Sequence, residues 1–281
     1  MAEQIKEIDA IISKRRLSGK WPLTRVLYFI SSLSEFDLSI ERKKKRAIWI
    51  MAGFIAAGLV LGVIGDNKKI VFLKYCAFGS LFFAVISLFV MLRYRSLDLR
   101  NELREFIAPI LQAIRDDIKK NTDISISLEL CPIAKKINLT GRSDKYTDGR
   151  YYKCYDYYYE RDFLEFGCRL ADGNRLLLKG HEFLIKSVKT KKTSRGKIKT
   201  KHKYRKTTDF KIALQIDNAN YSVKDTSNVN PAVTVKQEEN APVLCLKYKQ
   251  KRKEDFVPDP ALLLNRLALM YSFLQSSRNS V

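Results

Sequence analysis

Between residues 186 and 206 the chain reads KSVKTKKTSRGKIKTKHKYRK, eleven Lys or Arg in twenty-one positions, and no carboxylate falls between Glu182 and Asp209. Cationic side chains at this density do one kind of chemistry. They hold phosphates or carboxylates by charge-assisted hydrogen bonds and release the counterions of a polyanion. The spacing adds form. SRGK, residues 194–197, is a turn signal between arms rich in Thr, Val, Ile and Tyr. Strand alternation then puts Lys197, Lys199, Lys201, Lys203 and Arg205 on one face of the return arm, with Ile198, Thr200, His202 and Tyr204 on the other. A basic β-hairpin is expected to project past its sheet. Its candidate anion-binding residues are Lys189, Lys191, Lys192, Arg195, Lys197, Lys199, Lys201, Lys203 and Arg205.

Residues 97–281 hold thirty-six Lys or Arg against twenty-three Asp or Glu, a net of +13, and the stretch 186–206 supplies +11 of it. One element is basic, not the whole region. A charge serving solubility alone would mix both signs over the surface.

A second segment, YYKCYDYYYERDFLEF from residue 151, carries six tyrosines that can stack on bases or a nucleotide ring. Alternation places Tyr155, Tyr157 and Tyr159 on one face and Tyr158 on the other. Ordinary strand packing accounts for the same residues and is the expectation.

Enzymatic signatures do not appear. There is no G-x-x-x-x-G-K-[ST], no G-x-G-x-x-G after a strand, no HExxH and no G-x-S-x-G. Asp116 and Asp117 are neighbours on a helix and point apart. His181 has no sequence-level link to Cys168 or to a serine. Two histidines and five widely spaced cysteines give neither a zinc pattern nor a disulfide framework. No catalytic residue, cofactor or metal is expected, and the thiols read as reduced.

The elements that must position the basic stretch begin with two apolar runs. Residues 47–65 carry no charge and residues 70–92 only Lys74, and each is long enough for a hydrocarbon core of about 30 Å. The four residues between them, DNKK, predict a tight transmembrane hairpin. Gly58 and Gly62 form a small-residue motif suited to close helix packing, within the hairpin or between copies in a homo-oligomer. Eleven basic residues precede the first run, with RKKKR directly before it, and Arg93, Arg95, Arg100 and Arg104 follow the second. This bias places both termini in the cytoplasm. Lys74 can snorkel back to the turn.

Residues 1–46 read as cytoplasmic amphipathic helices, with Ile5, Ile8 and Ile12 on one stripe, a break at GKWP, and a short helix over 23–33. Residues 93–120 read as a linking helix kinked at Pro109. From Asp123 the period becomes two, as in DISISLEL, and strand-like segments separated by TDGR and ADGN follow. Residues 218–230 read as a loop, and 261–275 as a closing helix. The fold class is a membrane-anchored α+β chain: a two-helix transmembrane hairpin followed by a mainly antiparallel β domain, 121–281, with flanking helices.

A two-span anchor bearing a small cytosolic β domain resembles, in architecture and without a shared motif, the membrane effectors of bacterial cyclic-nucleotide defence systems. That resemblance implies a β domain that senses a nucleotide and controls assembly of the spans. The residues themselves point first to a non-enzymatic integral membrane scaffold. Its basic hairpin would dock lipid headgroups, an acidic protein or nucleic acid at the cytoplasmic face.

Overall fold

The computed structural model describes residues 2–224, 233–238, 241–252 and 257–277. Its elements run α1 (Ala2–Lys14), β1 (Arg16–Pro22), α2 (Leu23–Asn67), α3 (Val71–Leu97), a π-helical turn (Leu103–Ile107), α4 (Ala108–Ala113) and a 3-10 turn (Arg115–Asp117). Then come β2 (Asp123–Glu129), a 3-10 turn (Lys136–Asn138), β3 (Leu139–Arg142), β4 (Tyr146–Asp148), β5 (Tyr151–Arg169), β6 (Arg175–Lys192) and β7 (Ile198–Gln215). The chain continues with β8 (Tyr221–Val223), β9 (Val233–Glu238), β10 (Ala241–Arg252), α5 (Pro260–Tyr271) and β11 (Leu274–Ser276). The chain divides into two compact units, residues 1–31 with 101–281, and residues 32–100.

The second unit holds the two apolar helices. Both are long and apolar enough to cross a membrane. Their apolar side chains stay largely uncovered: Leu59 is 62 % exposed, Phe72 71 % and Phe89 66 %. A core helix of a soluble protein would bury such groups at about 25 cal/mol per Å² gained. The two helices pack through Phe54 on Phe83, whose rings stack at 5.5 Å, and through Ser80, which donates to the Phe54 carbonyl at 2.6 Å. Lys74 turns back to Asp66 at 2.6 Å, as its position near the connection predicts.

Helix α2 corrects the expectation of a separate short helix over 23–33. It runs unbroken into the first apolar run. The intervening SEFDLSIERKKKR contains no Gly or Pro, and Glu41 pairs with Lys45 one turn on at 3.0 Å, so nothing ends the helix there. The GKWP segment, expected as a helix break, is instead strand β1, paired antiparallel along the whole of β2 from Arg16↔Glu129 to Pro22↔Asp123. Residues 1–31 therefore belong to the β-bearing unit.

The linking helix is also revised. α3 ends at Leu97, where Asp98 takes an extended ψ and accepts from Lys44, while the Asp37 carboxylate accepts from the Leu99 amide at 3.0 Å. Helix restarts in the π-helical turn, and Pro109 sits in the first turn of α4, where its missing amide breaks no bond. It starts a helix and kinks none. The closing helix is shorter than expected, because Asp259 caps it by accepting from the Ala261 amide at 2.9 Å, and β11 pairs with β8 soon after Tyr271. The remainder of the 218–230 segment, from 225, lies outside the described residues.

The sheet of the first unit has the order β1-β2-β5-β6-β7-β10-β9, with β3 and β4 pairing the far half of β5. All its named pairs are antiparallel. The alternation in β2 behaves as read: Ile124, Ile126 and Leu128 are buried. One face of the sheet carries the core. Ile110 and Ile114 from α4 and its end, with Leu263 and Leu267 from α5, close over Phe166, Leu176, Leu178 and Ile212. Phe210 at the centre stacks on Tyr248 at 5.1 Å and meets Phe106 and Phe163 at 5.1 and 6.0 Å.

Strand β5 changes neighbours midway. Residues 164–167 pair with β2, residues 151–159 with β3 and β4, and a bulge between Asp162 and Leu164 marks the change. A bulge bends its strand and re-aims side chains. Beyond it the sheet loses its helical cover and becomes a distal extension of β3, β4, β5, β6 and β7.

Candidate anion-binding surface

The basic stretch folds as the end of the β6–β7 hairpin. The Thr193 amide donates to the Lys197 carbonyl at 2.9 Å and the Gly196 amide to the Thr193 carbonyl at 2.9 Å. Gly196 sits at φ +74°, a left-handed conformation that glycine adopts without a Cβ clash. This turn fixes the register, so that Lys191 stands opposite Lys199, Lys189 opposite Lys201, and Ser187 opposite Lys203.

Cross-strand partners share a face. Six of the nine candidates therefore meet on the outer face: Lys189, Lys191, Lys199, Lys201, Lys203 and Arg205. They form a stripe about 20 Å long at roughly 3.4 Å per residue. Arg195 and Lys197 occupy the turn. Lys192 separates from the rest, facing the core side opposite Ile198. The expected free finger is also broader than a hairpin, since β5 runs beside β6 as far as Lys153↔Thr190.

Among the described residues, one of the six has a carboxylate partner. Lys189 donates to Asp148, which raises the lysine pKa and holds the Asp148 carboxyl below its usual value. Lys191, Lys199, Lys201, Lys203 and Arg205 have no such partner. Lys191 instead lies 5.9 Å from the centre of the Tyr151 ring.

Lys206, last in the basic run, goes the other way. Alternation turns it to the core face, where its ammonium lies 2.7 Å from Glu182 and 2.9 Å from Glu102. Arg161 grips the other oxygen of Glu182 at 2.6 and 2.8 Å and also donates to the Cys131 carbonyl. Two cations and two carboxylates thus close a buried, neutral network, with Glu182 fully buried. Thr208 and Gln250 continue this polar row across β7 and β10. A charge at an inward position among Leu176, Leu178 and Leu184 is the signal that foretells it.

Gly58 and Gly62 are used inside the helix pair. A methyl group on Gly58 would meet Leu81 at 3.2 Å and the Ala77 carbonyl at 3.4 Å, and one on Gly62 the Ala77 methyl at 3.9 Å. Both glycines face α3 of the same chain.

The groups considered for catalysis stand apart. His181 contacts Asp162 at 3.0 Å, beside the bulge. Cys168 is buried, and burial pushes its thiol up to about 12, far from thiolate chemistry. Among the described residues no group of His, Cys, Asp or Glu could hold a metal. A trough of about 690 Å³ opens at the other end of the sheet, where Gly167 and Ser125 leave room. Lys20, Arg169 and Arg175 line it together with Asp123 and Asp217, so its charges largely cancel.

Comparison with known proteins gives no match to a family model, a curated protein or a solved structure.

Proposed function

We propose that the protein is a non-enzymatic docking protein of the membrane. In this reading α2 and α3 anchor it in a bilayer with both termini in the cytoplasm, and the outer face of the distal sheet binds an anionic partner. Supporting the anchor are the length of the two helices and the uncovered apolar surface on them. Anionic lipid, an acidic protein surface and nucleic acid share the chemistry this face recognises.

The observation that carries the reading is the pairing of like charges. Lys191 opposite Lys199 and Lys189 opposite Lys201 disfavour the hairpin in the free protein, by roughly 0.2–1 kcal/mol per pair. A polyanion laid along the stripe turns that repulsion into attraction, and the preformed strands hold the ammonium groups in place.

The test uses full-length protein in nanodiscs of neutral lipid, titrated with phosphatidylserine vesicles, heparin and a single-stranded oligonucleotide at rising salt. At least one polyanion should bind at low salt and be released as salt rises, with Lys199→Gln and Lys201→Gln weakening it. Absence of binding by all three at low salt would overturn the reading. The rival expectation, ligand-driven assembly through Gly58 and Gly62, has less support, because both glycines already face α3 within one chain.

A further inference from the structure

We propose that the core-side face of the distal sheet, opposite the lysine stripe, is a stacking platform for unpaired nucleobases, and that the anionic partner is single-stranded nucleic acid. This rests on the docking reading above and names its partner.

The platform begins where the helices stop covering the sheet. Along β7 the core-side positions pass from buried Thr208 and Lys206 to half-buried Tyr204 and exposed His202. On β5 the same face carries Tyr157, Tyr155 and Lys153, opposite Lys186, Val188 and Thr190. Tyr157 and Tyr204 are partly covered by Ile133, Tyr159 and Leu184. Tyr155 lies beyond that cluster.

Its ring is already prepared for stacking. The Arg142 guanidinium, from β3, lies 3.9 Å over the Tyr155 ring and 5.2 Å from that of Tyr157. Lys153 stands 5.5 Å from the Tyr155 ring, and Lys186 5.9 Å from that of Tyr204. Among the described residues Arg142, Lys153 and Lys186 have no carboxylate partner. A planar guanidinium stacked on an aromatic ring presents its other face as a second π surface, and unstacked bases settle on both. Every base has a π face, so such a platform accepts single strands without reading sequence.

Charge complementarity selects the occupant. Each stacked base brings its phosphate beside Arg142, Lys153, Lys186 and Lys192, and the distal core-side positions of β5, β6 and β7 contain no Asp or Glu to repel it. A lipid headgroup or an acidic peptide satisfies the cations and leaves the Tyr155–Arg142 stack unused.

The test compares fluorescein-labelled oligo(dT) of about twelve nucleotides with an abasic oligomer of the same length and charge, on full-length protein in neutral-lipid nanodiscs. Phosphatidylserine vesicles and polyphosphate serve as further arms. Oligo(dT) should bind roughly tenfold tighter than the abasic strand or better. Tyr155→Leu should remove that advantage while leaving abasic binding as it was, and Tyr155→Phe should keep it. Equal affinity of the wild-type protein for both strands overturns the proposal, as does an unchanged ratio in Tyr155→Leu. If vesicles or polyphosphate bind and oligo(dT) shows no advantage, the stacking platform falls and the docking reading stands. If no probe binds, both fall.

Discussion

Lys206 and Arg205 are neighbours in β7 with opposite fates: Lys206 is 4 % exposed and paired with two carboxylates, while Arg205 faces solvent with no carboxylate partner among the described residues. One peptide unit thus joins the buried charge network to the outer basic face. Strand alternation alone separates them.

The buried network makes the first prediction. Glu182→Gln removes the carboxylate that both Arg161 and Lys206 contact, leaving a buried excess of positive charge. The loss should be about 3–5 kcal/mol, the usual effect of breaking a buried pair from one side. Chemical denaturation of the β unit within full-length protein, followed by near-ultraviolet circular dichroism, measures it. A change under 1 kcal/mol would mean that the network does not hold the sheet.

How much of this was legible in the sequence follows from where the charges lie. The basic hairpin, its turn at 194–197 and the face shared by Lys199, Lys201, Lys203 and Arg205 came from alternation and a glycine-containing turn. The apolar helices came from length and hydropathy. Strand β1 did not, because RLSGKWP lacks the branched residues that mark strands, and only its pairing to β2 makes it one. Nor did the Arg161–Glu182 pair. The bulge at Asp162 shifts the alternation of β5, so parity counted along the sequence misassigns the residues beyond it.

A second prediction concerns the opposed lysines. Lys199→Glu converts a repulsive cross-strand pair with Lys191 into an attractive one. Hydrogen exchange at the amides of the hairpin should slow, by a few-fold for a gain of roughly 0.2–1 kcal/mol. The same variant should bind every polyanion less well. Faster exchange would show that the register Lys191↔Lys199 is wrong.

The Asp148–Lys189 contact sets a pH dependence. Lys189, by hydrogen bond and charge, holds Asp148 below its ordinary 3.8, so this contact supports the fold above that value and is lost as pH falls through the depressed one. Carboxyl NMR should place the Asp148 midpoint below 3.8, and Lys189→Gln should return it upward. An unchanged midpoint in the variant would separate the two residues. Lys189 is raised by the same partner, and its share persists below 10.5 and fades above.

Cys168 reports on the core. With its thiol pushed up to about 12 by burial, it should resist iodoacetamide at pH 8 in the folded protein and react once the sheet unfolds. Mass spectrometry of labelled peptides distinguishes it from the half-buried Cys131. Equal labelling of both in native protein would contradict the described packing. Because the folded-state value is raised above 9.0, ionisation of the unfolded thiol lowers stability as pH climbs from 9 towards 12.

The central claim is that the outer face of the β6–β7 hairpin binds polyanions by charge. The most direct measurement is the salt dependence of oligonucleotide binding by full-length protein and by the quadruple variant Lys199→Gln, Lys201→Gln, Lys203→Gln, Arg205→Gln. Each phosphate contact to a single strand contributes about 0.7 to the slope of log K against log salt, so the variant's slope should be shallower by about 3. Neutralising Lys119 and Lys120, which precede β2, should leave the slope unchanged. Equal slopes for the wild-type protein and the quadruple variant would contradict the account.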